Sequence, residues 1–158
     1  MTQVETTIEI AAPADRVWVF FVPQRMPLWY GAEMDAQIEL LDGAPDFAAG
    51  QKVKVSGTLR RRGVGFTAVI TRHEWMRLLE WQFKDDYGIR GLQRWEMEAV
   101  AGGTPANVRI RMTSEFQMPG LLGRLGAPLM RWSVRRRDRA WLARLKQLAE
   151  GTEEGNRR

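Results

Sequence analysis

Arg77-Leu78-Leu79-Glu80-Trp81-Gln82-Phe83-Lys84-Asp85 alternates in side-chain type: Leu79, Trp81 and Phe83 are apolar, while Glu80 and Lys84 between them are charged. A period of two puts one set on each face of a β-strand, so residues 77–85 read as a strand with one wet and one buried face. The pattern extends in both directions. Beyond the turn signal Asp86-Tyr87-Gly88, residues 89–100 set Trp95 and Met97 against Arg94, Glu96 and Glu98. Beyond Gly102-Gly103, residues 105–117 set Val108, Ile110, Met112 and Phe116 against Arg109 and Arg111. Upstream, residues 64–74 align Phe66, Ala68 and Ile70. Residues 51–60 align Val53, Val55 and Leu59, with Arg62-Gly63 as the turn between the two segments. A further strand is predicted over 35–42, before Asp42-Gly43. Strands in succession with short connections make an antiparallel meander.

The flanks complete the architecture. Thr6-Thr7-Ile8-Glu9-Ile10 alternates and predicts a strand over 3–11. Pro13 suits a first helical turn and Asp15 its positive end, so a short helix is expected over 14–21, with a second over 24–30 after Pro23. Met130, Val134, Trp141, Leu145 and Leu148 recur at helical spacing, which predicts a helix from about 120 to 150 that Pro128 kinks or breaks. The fold class is α+β: a curved antiparallel sheet around a long C-terminal helix, as one domain over 1–150 with a polar tail at 151–158.

Composition removes several function classes. The 158 residues contain no cysteine and one histidine, which excludes disulfides and leaves ordinary zinc or haem sites short of ligands. His73 reads as an exposed turn residue. No Gly-x-Ser-x-Gly elbow and no phosphate loop is present. Glu80, Glu96, Glu98 and Glu115 fall on the outward parity, so no acid/base pair is placed and no catalytic residue is assigned. No metal or cofactor is expected. The N-terminal residues lack the pattern of a secretory signal, and no apolar run reaches the ~20 residues of a membrane span, so the expected location is cytoplasmic. The net charge of +5 is concentrated in residues 120–150, with eight basic residues against two acidic ones. Because that excess sits on one amphipathic helix, no nucleic-acid partner is expected; the basic runs read first as a solvated face or salt-bridge partners, with a weak contact with an anionic head group or membrane surface as the alternative.

The order strand, two short helices, six strands, long helix resembles the START/Bet v 1-like superfamily, in particular its polyketide cyclase/dehydrase and lipid-transport branch. Pro13-Ala14-Asp15-Arg16-Val17-Trp18, Met26-Pro27-Leu28-Trp29, Gly50-Gln51-Lys52-Val53, Met76-Arg77-Leu78-Leu79-Glu80-Trp81 and Pro119-Gly120-Leu121-Leu122-Gly123 carry the likeness, across residues 3–150. The resemblance implies a helix-grip fold with seven strands and a hydrophobic cavity between sheet and helix.

Seven Trp, six Phe and eight Met can wall such a cavity or simply fill a core. On the cavity reading, Phe66, Trp81, Trp95, Met97, Met112, Leu129 and Trp132 line one space of roughly 300 Å³ or more. Trp29 and Phe116 join them as ligand-binding candidates. Arg135-Arg136-Arg137 cannot all face water equally. Arg136 and Arg137 fall at the borders of the packed face, and Arg136 is the candidate to reach the mouth and meet a ligand anion. A structural carboxylate such as Glu33, Asp35 or Asp138 is the alternative partner. The expected function is binding of a hydrophobic or amphipathic small molecule. The rivals are a polyketide cyclase/dehydrase working in the same cavity and a protein-interaction module related to Hsp90-activator domains.

Overall fold

The computed structural model describes residues 2–101 and 107–155. Strand β1 (Thr2–Ile10) is followed by α1 (Ala14–Trp18), short 3-10 turns at Val19–Phe21, Met26–Leu28 and Ala32–Met34, and β2 (Gln37–Leu40). Five strands come next: β3 (Lys52–Leu59), β4 (Arg62–Glu74), β5 (Leu78–Asp85), β6 (Arg90–Val100) and β7 (Asn107–Gln117). Helices α2 (Gly120–Leu125) and α3 (Ala127–Gly155) close the chain. The strands form one antiparallel sheet in the order β1-β7-β6-β5-β4-β3-β2, with β1 paired along β7 (Ile8 opposite Ile110). The expected turn at Gly102-Gly103 lies outside the described residues.

Local chemistry explains the boundaries. Pro128 sits in the first turn of α3, where its missing N–H costs nothing, and the helical segment breaks just before it. The β3–β4 turn is not at Arg62-Gly63. Leu59 pairs with Arg62, so Arg60 and Arg61 form a two-residue hairpin, at φ 50° and 67°. That left-handed geometry matches the strand twist and usually selects Asn-Gly, which is why glycine spacing misplaces it. Leu59, expected inside, is exposed at this tip.

The sheet wraps the C-terminal half of α3 over a core of Ile10, Ile70, Ile110, Leu142 and Leu145. The helix end is fixed to β1: the Ala11 amide donates to Glu150 Oε1 (2.9 Å), and Lys146 Nζ donates to the Glu9 carbonyl (2.8 Å). On the outer face Arg109 pairs with Glu9 and Glu98, an exposed array of modest energetic worth. Glu80 shares that face but is buried, because Arg94 Nε (2.6 Å) and Thr71 Oγ1 (2.7 Å) both donate to its carboxylate. Burial raises its pKa, but those hydrogen bonds and the Arg94 charge outweigh burial and hold it below the usual carboxylate range. His73 is half-buried on β4, with its ring 6.3 Å from Trp18, and burial lowers its pKa.

Candidate functional site

Where the inner face of the sheet leaves the aromatic core and meets the N-terminal half of α3, side chains no longer fill the space. A cavity of about 350 Å³ lies there. Its apolar walls are Val55, Val64 and Phe66 from the β3–β4 hairpin, Phe83 and Ile89 from β5–β6, and Phe116, Met130 and Val134 from β7 and α3. Gly57 helps to shape the wall. A Cβ there would stand 2.8 Å from the Met34 carbonyl oxygen, so only glycine lets the Ala32–Met34 turn close over the hairpin.

The inner end of the cavity is polar. Gln93 lies on the same parity as Trp95, and Ser114 on that of Met112, so both point inward where an apolar residue is expected. Gln93 Oε1 accepts from the Tyr30 hydroxyl (2.6 Å) and from Trp81 Nε1 (2.9 Å). The Tyr30 ring lies 4.4 Å from Trp141, whose Nε1 donates to Glu33 Oε2 (2.8 Å). Arg137 stacks its guanidinium 4.4 Å from the centre of the same indole. Its Nε and Nη2 donate to Asp138 Oδ1 at 3.2 and 3.1 Å, while Ser114 Oγ donates to Oδ2 at 2.8 Å. Asp138 has no exposed surface. Burial pushes its carboxyl pKa up against the opposing pull of Arg137 and Ser114, and burial likewise raises the Tyr30 phenol.

Of the seven side chains expected to share one internal space, only Phe66 lines this cavity, and Phe116 is the one further candidate that joins it. The correction has a physical reason. Trp29, Trp81, Trp95 and Met112 are fully buried at the closed end. There the rings pack edge to face: Trp81–Trp95 at 5.0 Å and 80°, Trp29–Trp95 at 6.2 Å and 87°. They plug the core and do not wall the cavity. Met97 is buried away from it, bordering a charged depression with Arg72 and Arg109. Leu129 and Trp132 face outward. Trp132 lies nine residues before the buried Trp141, half a turn out of phase at ~100° per residue. Arg136 is also exposed, 5.6 Å over the Trp132 ring, and Arg137 is the arginine at the cavity. Its partner is Asp138, one of the carboxylates expected for this cluster.

Tyr30, Gln93 and Ser114 were not singled out as candidates from sequence, whereas Arg137 was placed with Arg136 at the border of the packed face. The readable signal was a polar residue at an inward position, Gln93 or Ser114. Among the described residues no group of three metal-ligating side chains converges.

A comparison with curated proteins returns no match. Solved structures share the fold. A Mesorhizobium loti protein superposes at TM-score 0.71 with 13% identity, covering 95% of this chain and 98% of its own. An Arthrobacter aurescens protein gives 0.71 and 16%, over 93% and 85%. DynU16, a protein in the dynemicin biosynthetic locus, gives 0.63 and 17%, over 93% of this chain and 46% of its own. At these identities the likeness establishes the fold alone. The sequence matches one family from residue 1 to 150, and the chain belongs to it: polyketide cyclase / dehydrase and lipid transport.

Proposed function

We propose that the protein binds an uncharged small molecule, mostly apolar with one oxygen able to accept hydrogen bonds, in the cavity between α3 and the β3–β4 and β5–β6 hairpins. The observation that carries this reading is the division of the wall into an apolar tunnel and a polar end built on Tyr30, Gln93 and Arg137. Apolar burial at ~25 cal/mol per Å² supplies the affinity. Gln93 already uses its oxygen on two donors, so its amide NH2 is the group left to donate to a ligand. A ligand carboxylate is disfavoured. Asp138 neutralises Arg137, and Asp85 and Glu115 also border the space.

Native mass spectrometry of the protein purified from its own host tests the reading, backed by titration with the neutral fluorophore N-phenyl-1-naphthylamine. A co-purifying apolar molecule is expected. So is displacement of the probe by decanol at least tenfold better than by decanoate. Absence of both a bound molecule and saturable probe binding sinks the proposal.

A second reading, catalysis on the bound molecule, draws on one feature: Asp138 is a buried carboxyl of raised pKa, one Ser114 hydroxyl away from the cavity. Asp138→Asn that retains binding but abolishes conversion of the host-derived molecule would support it. An unchanged molecule after incubation with the wild type would remove it.

A further inference from the structure

Four large apolar side chains protrude from one short stretch. Leu121 and Leu125 on α2, and Leu129 and Trp132 at the start of α3, expose 74%, 75%, 71% and 58% of their surface. Because α3 turns Met130, Val134 and Trp141 inward, Leu129 and Trp132 necessarily point away from the sheet. Arg124, Arg131, Arg135 and Arg136 are interleaved with them and exposed, and residues 116–137 contain no Asp or Glu.

We propose that this ridge docks on the anionic surface of a lipid bilayer, with the leucines and Trp132 entering the acyl boundary and the arginines meeting phosphates. Charge complementarity favours this occupant, and so does the mixture of side chains. A nucleic acid would satisfy the arginines but leave four protruding apolar groups unused, whereas a lipid interface takes both. The ring of Trp132 under the Arg136 guanidinium suits the headgroup level, where an amphipathic ring and a cation are both solvated. No helix among the described residues is long and apolar enough to cross a membrane, so the contact made by this ridge is peripheral.

The location also has a use. Phe116 lines the cavity and also a groove beneath α2 that Leu121, Arg90 and Arg124 border. A molecule leaving the bilayer at the Leu121 end of this ridge therefore enters a groove that shares Phe116 with the cavity. The docking inference stands independently of which molecule the cavity holds.

The test is co-sedimentation of the full chain with vesicles of phosphatidylcholine alone or with 30% phosphatidylglycerol, the mixed vesicles being about 30% anionic lipid. Binding to the anionic vesicles and at least tenfold weaker binding to neutral ones is expected. The triple variant Leu125→Ser/Leu129→Ser/Trp132→Ser should lose at least tenfold. Arg131→Gln/Arg135→Gln should lose about fivefold per arginine. Thermal unfolding of each variant checks that the fold is kept, which exposure of every substituted side chain favours. No binding of the wild type to either vesicle overturns the proposal, as does unchanged binding by the triple variant. Duplex DNA binding that matches or exceeds vesicle binding, and that the serine variant retains, assigns the arginines to nucleic acid and also overturns it.

Discussion

Replacing Gln93 by leucine removes one oxygen that two donors share. Trp81 Nε1 and the Tyr30 hydroxyl both point at it, at 2.9 and 2.6 Å. Leucine keeps most of the volume, so the change is chiefly polar. Trp81 is fully buried and does not border the cavity, so its N–H is left without a partner. An unsatisfied buried donor costs about 1–3 kcal/mol. Tyr30 borders the cavity and loses less, because its hydroxyl can turn toward that space. The sum is about 2–4 kcal/mol. For a domain of this size each kcal/mol lowers the melting temperature by about 2–4 °C, which gives a drop of about 4–16 °C. A double-mutant cycle separates this cause from simple repacking. Tyr30→Phe should cost about 1 kcal/mol alone and close to nothing in the Gln93→Leu background, because its donor has already lost its acceptor. Urea unfolding of the four proteins reads the cycle. If Gln93→Leu melts within 2 °C of the wild type, or if Tyr30→Phe costs the same in both backgrounds, the shared-acceptor account is wrong.

Gly91→Ala should destabilise by more than about 2 kcal/mol in thermal unfolding, since its Cβ would collide with the Glu115 carbonyl oxygen and stand 2.6 Å from the Phe83 ring. A neutral Gly91→Ala would contradict the close strand packing. The two buried carboxylates act on stability in opposite senses with pH. Glu80 has a lowered folded pKa, so its contribution is present above the unfolded carboxylate value and is lost as pH falls through the folded one. Glu80→Gln should therefore flatten the acid limb of a stability–pH curve below about pH 4.5. Asp138 has a raised folded pKa, so its contribution is full below the unfolded value and is lost as pH rises through the folded one. Asp138→Asn should gain on the wild type as pH rises from about 4, and a gain that instead shrinks would reverse the assignment.

The strand pattern made the fold legible, because inward residues such as Val53, Ile70 and Ile110 alternate with charged neighbours and burial enforces that register. The hairpin tip was not legible, because two arginines occupy left-handed positions that glycine or asparagine normally marks. The site was read less well than the fold, for one main reason. Residue type tells that Trp81, Trp95 and Met112 are inside, but not that edge-to-face packing draws them into a solid plug. A cavity is where side chains fail to meet, and that depends on the bends of the sheet and on which half of α3 the rings reach. Leu129 and Trp132 could have been placed outward by phase against Trp141. Gln93 and Ser114 could have been flagged as polar residues at inward parity. That an arginine at the border of the packed face meets a carboxylate was legible, because three consecutive arginines cannot all face water, but the choice of Arg137 over Arg136 and of Asp138 over Glu33 or Asp35 was not.

Filling the cavity tests the central claim most directly. Val134 is buried, on the helix wall of the space. Val134→Trp should occupy the volume that a ligand would take. N-phenyl-1-naphthylamine fluorescence titrations of the wild type, Val134→Trp and the surface control Trp132→Ser decide the matter. Saturable one-to-one binding to the wild type and to Trp132→Ser is predicted, with affinity for Val134→Trp reduced at least tenfold, about 1.4 kcal/mol, while the protein still melts cooperatively. Equal affinity for the filled and unfilled proteins would place the probe elsewhere and contradict the cavity as the binding site.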